Sequence, residues 1–412
     1  MATTLSSWQA ALKEMVLPYI QDNFPKESIL LDQFKRNAGV NRINDEFIAP
    51  VYTSRHGGIV NLGNDGNNVN PASGRSVSRG TVPVETVTAT FNISKLAVDA
   101  SKGGLAVAEA LDSQTTTLAR DYGRHINRQL YSDGVGIVGQ VLGSVGAGTA
   151  SVMYPDANLD DGRSIDWYGT INSDIAVTKY FAVDQIVGIG TGAADLGTIT
   201  SVTGTSIVYT GDPASVANDS IYLVDGSGGG AGTSEFLGIR AALSSTTGTS
   251  TYAGLARNTI GWTPQFGSAS EALTQKRMED TYLAAQEYAS KSDKFIILVN
   301  KTLFGKYGQI LTSMRRTVSE TDLLGGWTGL EFAAGGNRVG VFLDYDVPDG
   351  EVIFINLDTW TLCQVSDWSW VDDGGNLLRL SNTIQYQAVM AWFANVMCLA
   401  PAANGKQTRK TG

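Results

Sequence analysis

Polar and apolar positions change period several times along this 412-residue chain, and each change predicts an element. Residues 6 to 20 set Trp8, Ala11, Leu12, Met15, Val16 and Tyr19 on one helical face. That spacing predicts a short amphipathic helix ending near Pro18, an arm that needs a surface to lie against. From Glu46 to Lys95 the period shortens to two. EFIAPVYTSRHGGIVNL and TVPVETVTATFNISKL predict a long hairpin around the tip GNDGNNVNPASGRSVSRG, with Thr86 to Ile93 alternating best and Pro83 marking an edge strand. A lone two-stranded hairpin is marginal in water, so its faces call for support from another chain.

Helical spacing returns over residues 105 to 131. Leu111, Thr115, Leu118, Tyr122, Ile126 and Gln129 form one stripe, and Arg120, Arg124 and Arg128 another. At ~1.5 Å per residue the helix runs roughly 40 Å, a spine for a whole domain. Between Val152 and Gly248, FAVDQIVGIG, GTITSVTGTSIVYTGD and SIYLVDG stand among Gly, Thr and Ser, which predicts a compact barrel or sandwich inserted into the main domain, with DGSGGGAGTS as a flexible exit. Helix and strand then alternate. EALTQKRMEDTYLAAQEYAS is a helix with Leu273, Met278, Tyr282 and Ala285 as apolar members, KFIILVN a buried strand, and KTLFGKYGQILTSM a second helix. NRVGVFLDYDV, EVIFINLDTWTLCQV, SDWSWVDDG and YQAVMAWFANVMCLAP read as sheet.

Composition narrows the function classes. Charged residues make up 17% of the chain, below the ~25% usual for globular proteins, which leaves much neutral surface for protein contact. The formal charge of -10 argues against a general grip on nucleic acid through its phosphates. Lys406, Arg409 and Lys410 form a short basic tail, read as a solvated terminus. Cys363 and Cys398 match neither a disulfide framework nor a zinc spacing and read as buried thiols. The first residues lack a signal-peptide pattern, and AVMAWFANVMCLAP is too short to span a bilayer, so the expectation is a soluble chain made in a cytoplasm, with no membrane partner.

Candidate chemistry is sparse. Gly134, Gly136 and Gly139 spell GxGxxG, with Asp156 about twenty positions on, but a dinucleotide site needs a strand before the glycines and a helix after them. Here a helix precedes and a Gly/Ser/Thr-rich stretch follows, so the motif reads as a helix cap and turn. DANLDDGRSIDW is similar to a calcium loop, but Gly162 falls one place late and Trp167 stands where the twelfth-position Glu belongs. His56 and His125 have no nucleophile pattern beside them, and His125 reads as a core or interface residue. Trp360, Trp368, Trp370 and Trp392 read as core or interface aromatics rather than a ligand platform. Walker A, HExxH and GxSxG patterns are absent, so no catalytic, cofactor or metal site is assigned and the chain is not expected to be an enzyme.

The order of these parts resembles the major capsid proteins of tailed phages, the Hong Kong 97 type of fold. RQLYSDGVGIVGQVL looks like that family's spine-helix end and glycine turn, and TYAGLARNTIGWTP is similar to its pattern at Gly254, Arg257 and Trp262. AAQEYASKSDKFIILVNKTLFGKYGQI looks like its helix, strand, helix succession, and WTGLEFAAGGNRVGVFLDYDVPDGEVIFINLDTW like the close of its axial domain. The resemblance implies an α+β fold divided into an N-terminal arm (1–45), an extended hairpin loop (46–95), the spine helix and start of a peripheral domain (96–149), a β-rich insertion (150–245), and the remaining peripheral and axial domains (246–412). No charged helical prodomain precedes the arm in this sequence, which leaves guidance to a separate scaffold or to a segment already removed. Residues 50 to 94 contain no lysine, which puts the family's Lys-Asn isopeptide fastening in doubt.

The function so implied is a structural one. Copies would tile hexamers and pentamers of an icosahedral virion shell around packaged double-stranded DNA, with scaffold and portal proteins as partners and room for a decoration protein. An acidic subunit would not glue that DNA in place. Arg55, Arg75 and Arg79 are the expected polar anchors between subunits, because guanidinium groups suit carboxylates across an interface in an acidic protein. An encapsulin-like cellular compartment and a secreted β-rich surface-layer protein are the alternatives, the second in conflict with the missing signal pattern.

Overall fold

The computed structural model describes residues 28–54, 56, 59, 61, 74–94, 105–134, 136–141, 149–153, 177–190, 196–203, 206–211, 220–224, 235–244, 251–259, 261–267, 271–290, 293–313, 320–323, 327–348, 350–367, 369–371, 378–379, 385–408 and 410–411. The amphipathic stretch 6–20, the calcium-like loop, Arg55, Trp368 and Arg409 lie outside them.

Helix α1 (Ile29–Gln33) starts at Ser28, whose side chain accepts from the Leu31 amide, and buries Ile29, Leu30 and Leu31. Strands β1 (Glu46–Tyr52) and β2 (Val77–Pro83) pair antiparallel from Glu46↔Pro83 to Tyr52↔Val77, with Asn41–Ile43 added beyond β1. The hairpin ends there, which corrects the expected span of 46–95. After Pro83, strand β3 (Glu85–Ser94) leaves for a different sheet and never pairs with β1. Alternation tells a strand which face to bury but not which partner to take. Asn395 fixes the switch by donating Nδ2 to the Pro83 carbonyl at 2.8 Å.

Helix α2 (Leu105–Leu130) is the predicted spine. It is followed by a turn with Gly134 at φ +88° and Gly136 at φ +78°, and then by a strand, Ile137–Val141, that includes Gly139. Helix, glycine turn, strand is the reverse of a dinucleotide fold. That strand opens a closed six-stranded barrel, joined in the order 206–211, 149–153, 137–141, 220–223, 186–189 and 196–202. Val138, Val141, Phe181, Val187, Ile189, Ile199, Ile207, Tyr209 and Ile221 form its own core. Glycine is required inside it: a Cβ at Gly188 would stand 2.2 Å from the Tyr222 ring. The barrel thus begins some thirteen residues before the expected start at 150. At the other end, Phe236, Ile239, Ala242 and Leu243, around the short helix α3 (Ile239–Ala242), belong to the main core rather than to the barrel.

Helix α4 (Gln275–Gln286) is capped by Thr274 and buries Met278, Tyr282 and Ala285. Strand β4 (Phe295–Val299) follows, and helix α5 (Lys301–Ser313) starts where Asn300 accepts from the Leu303 amide at 3.0 Å and buries Leu303, Tyr307 and Leu311. Strand β5 (Asn337–Leu343) runs parallel to β4, and β6 (Val352–Asn356) antiparallel to it, in a seven-stranded sheet. Alternate residues of β4 serve two cores. Ile297 and Val299 join the cluster under α4 and α5, while Ile296 and Leu298 face the main cluster, which explains why the strand is apolar without interruption. Strand β7 (Trp360–Gln364) and the 14-residue β8 (Gln385–Cys398) build the remaining large sheet. There β8 pairs with β3 along one side and with β7, 369–371 and 378–379 along the other.

Candidate assembly interface

The hairpin has two unlike faces. Phe47, Ala49, Val51 and Val82 are buried in the main core, and Gly80 passes so close to Met397 that a Cβ would meet its methyl at 2.9 Å. The other face carries Glu46, Pro50, Tyr52, Val77, Arg79 and Pro83, all exposed. Tyr52 and Val77 are register partners on this face, 54% and 55% exposed, and Ile43 sits opposite Glu46 on the added strand with 53% exposed. These three exposed apolar residues make the face a candidate contact surface, with Tyr52 and Val77 paired at one end and Ile43 at the other.

Two of the three candidate arginines rim this surface. Arg79 pairs with Glu46 of the same hairpin at 3.0 Å, and the Arg75 guanidinium stands 4.2 Å from the Tyr52 ring centroid while its Nε donates to the Ser54 carbonyl at 3.1 Å. Both contacts are exposed and contribute ~0–1 kcal/mol to the fold. They preset the guanidinium groups rather than leave them loose.

Several charged residues turn out to be buried within the subunit. Arg128, expected on a polar stripe of the spine, is buried and holds Glu235 through both terminal nitrogens. Lys406, expected in a solvated tail, is 1% exposed in a strand beside β6, with Nζ 3.7 Å from Glu351, which also meets Arg240 at 3.4 Å. Glu85, at the root of the hairpin, is half-buried beside Glu235. Burial first and the Glu235 charge second push its carboxyl up to about 7. His125 is held neutral by burial and by Arg128, its pKa lowered to about 3, and its ring meets Gln129 at 2.9 Å.

Trp360, Trp392, Cys363, Cys398, Arg257 and Trp262 are core residues, whereas His56 is exposed. Trp360 stacks on Phe34 with centroids 5.5 Å apart and donates to Asn404, and Trp392 meets Phe236 edge-on. Cys363 and Cys398 are buried free thiols, each pushed by burial up to about 12. Arg257 caps the end of α3, donating to the carbonyls of Ala241 and Ala242, while the Trp262 indole donates to the Tyr252 carbonyl at 3.0 Å. Among the described residues no group of three or more His, Cys, Asp or Glu side chains is placed to hold a metal ion, and no helix is long and apolar enough to cross a membrane.

No protein-family model matches this chain, and no curated protein sequence does. Solved structures do match it. The capsid asymmetric unit of cyanophage A-1(L) aligns over 94% of this chain and 94% of its own, with a TM-score of 0.55 and 12% identity. The capsid of a native GTA particle aligns over 94% and 91% with a TM-score of 0.46 and 11% identity, and a Mycobacterium phage Patience chain over 99% and 91% with a TM-score of 0.46 and 8% identity. The chain therefore has the α+β fold of Hong Kong 97-type capsid proteins, as the order of parts along the sequence implied, at low sequence identity.

Proposed function

We propose that this chain is the major capsid protein of a tailed phage, and that its copies form the hexamers and pentamers of an icosahedral virion shell around packaged double-stranded DNA. The observation that carries the reading is the fold likeness to a phage capsid subunit across 94% of both chains. The outward hairpin face supports it, because a closed shell needs each subunit to present patches complementary to a neighbour. In this reading Tyr52 and Val77 are the apolar centre of one such patch, with Arg75 and Arg79, and Arg55 nearby in sequence, as its polar rim. The barrel is an insertion in the peripheral domain. Scaffold and portal proteins guide assembly in the host cytoplasm, and a decoration protein can be added outside.

Electron microscopy of the purified protein tests the proposal: hollow closed particles, or rings of five or six subunits, are the expected images. A monodisperse monomer at every concentration and salt would overturn it. Particles filled with a cargo protein in place of DNA would favour an encapsulin-like compartment.

The shell is expected to be held without covalent links. The hairpin region 50–94 has no lysine for an isopeptide bond, and both cysteines are buried in the subunit core. Boiling mature particles in detergent without reductant should give a single band near 43.7 kDa. A reductant-resistant ladder of oligomers would refute this.

A further inference from the structure

The outer face of helix α4 carries a charge pattern that answers the hairpin face. Helical spacing sets Lys276, Asp280, Leu283 and Glu287 along one stripe, opposite the buried Met278, Tyr282 and Ala285. All four are exposed, and Glu287, at the end of the helix, keeps helical backbone angles of φ -57° and ψ -32°. Leu283 is 41% exposed, and Tyr288, next to Glu287, is 55% exposed. The turn at Gly335 passes so close to Leu283 that a Cβ there would stand 2.8 Å from its Cδ2, which seats the leucine on one side and leaves it exposed on the other. Arg277, beside the stripe, is held by Glu271 at 3.0 Å. From Glu287 back to Lys276 the order is acid, apolar, acid, base.

The hairpin has the inverse order. Arg75, Val77 and Arg79 occupy alternate positions of one extended segment, which pairs even before β2 begins, where the Thr53 amide donates to the Ser76 carbonyl at 3.0 Å. Glu46 adds a carboxylate beyond Arg79, 3.0 Å from its guanidinium. From Arg75 to Glu46 the order is base, apolar, base, acid.

Spacing agrees as well as sign. At ~3.3 Å per strand residue, Val77 lies about 7 Å and Arg79 about 13 Å from Arg75. At ~1.5 Å per helical residue, Leu283 lies about 6 Å and Asp280 about 10 Å from Glu287. Long arginine side chains span the remaining difference of about 3 Å. Arg79 can hold Glu46 and a second carboxylate together, since a guanidinium offers several N–H donors.

We propose that the outer face of α4 receives the hairpin face of a second copy of this chain. Arg75 meets Glu287, Tyr52 and Val77 cover Leu283 and Tyr288, Arg79 meets Asp280, and Glu46 meets Lys276. The proposal rests on the shell reading above and supplies the other half of its hairpin contact. Only one direction of docking satisfies it. Turned end for end, Arg75 would face Lys276 and Glu46 would face Glu287, and like charges across an interface reject that pose. Because the two patches differ, each copy offers its hairpin to one neighbour and its helix to another, and such head-to-tail contacts generate a ring when the rotation between copies closes.

A disulfide between copies tests the pairing. The full chain carrying Val77→Cys with Leu283→Cys is assembled, oxidised and run on a denaturing gel without reductant; both native cysteines are buried. A ladder at multiples of 43.7 kDa is expected from the double variant and none from either single variant. Particles that assemble but give no ladder overturn the pairing and leave the shell reading intact, whereas a wild-type chain that forms no particles removes both. Should the cysteine variant not assemble, charge reversal decides. Asp280→Lys with Glu287→Lys should lower the sedimenting fraction about tenfold or more without changing the thermal melt of the free subunit, and adding Arg75→Glu with Arg79→Glu should recover most of it. Assembly undiminished by the helix reversal, or unrecovered by the hairpin reversal, overturns the pairing.

Discussion

Replacing Tyr52 and Val77 together by aspartate should abolish closed particles while leaving the subunit folded. Both residues are more than half exposed and face away from the core, so the folded chain loses little by the change. At an interface the balance differs. Each apolar side chain that a neighbour covers stabilises the contact by about 1.5–3 kcal/mol, and a carboxylate in its place has to be desolvated as well. A shell repeats that loss in every subunit. Sedimentation separates particles from free subunits, and a thermal melt of the free subunit checks its fold. Normal particles from the double variant would remove the hairpin face from the assembly contacts.

Glu235→Ala should be the most damaging change away from that face. It leaves Arg128 buried with its guanidinium stripped of a bidentate partner, a loss that typically costs about 3–5 kcal/mol. Chemical denaturation of unassembled subunits measures it directly, and a change below about 1 kcal/mol would mean that Arg128 finds water or another carboxylate. A charge reversal at Arg79 offers the contrast, because its partner Glu46 lies at the surface and the pair contributes little to stability.

These two sites differ in how far they could be read from the chain. The hairpin strands, the spine, α4, α5 and the strand between them have strong local periods, and periodicity is what a linear sequence records best. Trp360, Trp392 and the two cysteines were legible as core for a similar reason, since each sits in an apolar strand pattern. Arg128 and Lys406 were not. A buried charge is legible only through its partner, and Glu235 lies 107 residues from Arg128 with nothing in the spacing to connect them. The destination of Thr86 to Ile93 was hidden likewise, because the same alternation suits β1 and β8, and only Pro83 hinted at a break. The barrel started early because its first strand follows the glycine turn directly, in a stretch whose composition reads as loop.

The long strand β8 has a consequence for the order in which a working subunit appears. It lies at the middle of its sheet and joins segments made near the beginning of the chain, with Asn395 gripping the Pro83 carbonyl across 312 residues. Contacts of such separation are slow to form, since the intervening chain must first be brought together. Until β8 has been synthesised, β3 lacks the strand it pairs with among the described residues, and the Pro83 carbonyl lacks the Asn395 amide. A chain that ends before β8 is therefore expected to hold its hairpin less firmly than the full chain does. In the proposed shell, a copy truncated before β8 is therefore expected not to take its place beside a neighbour.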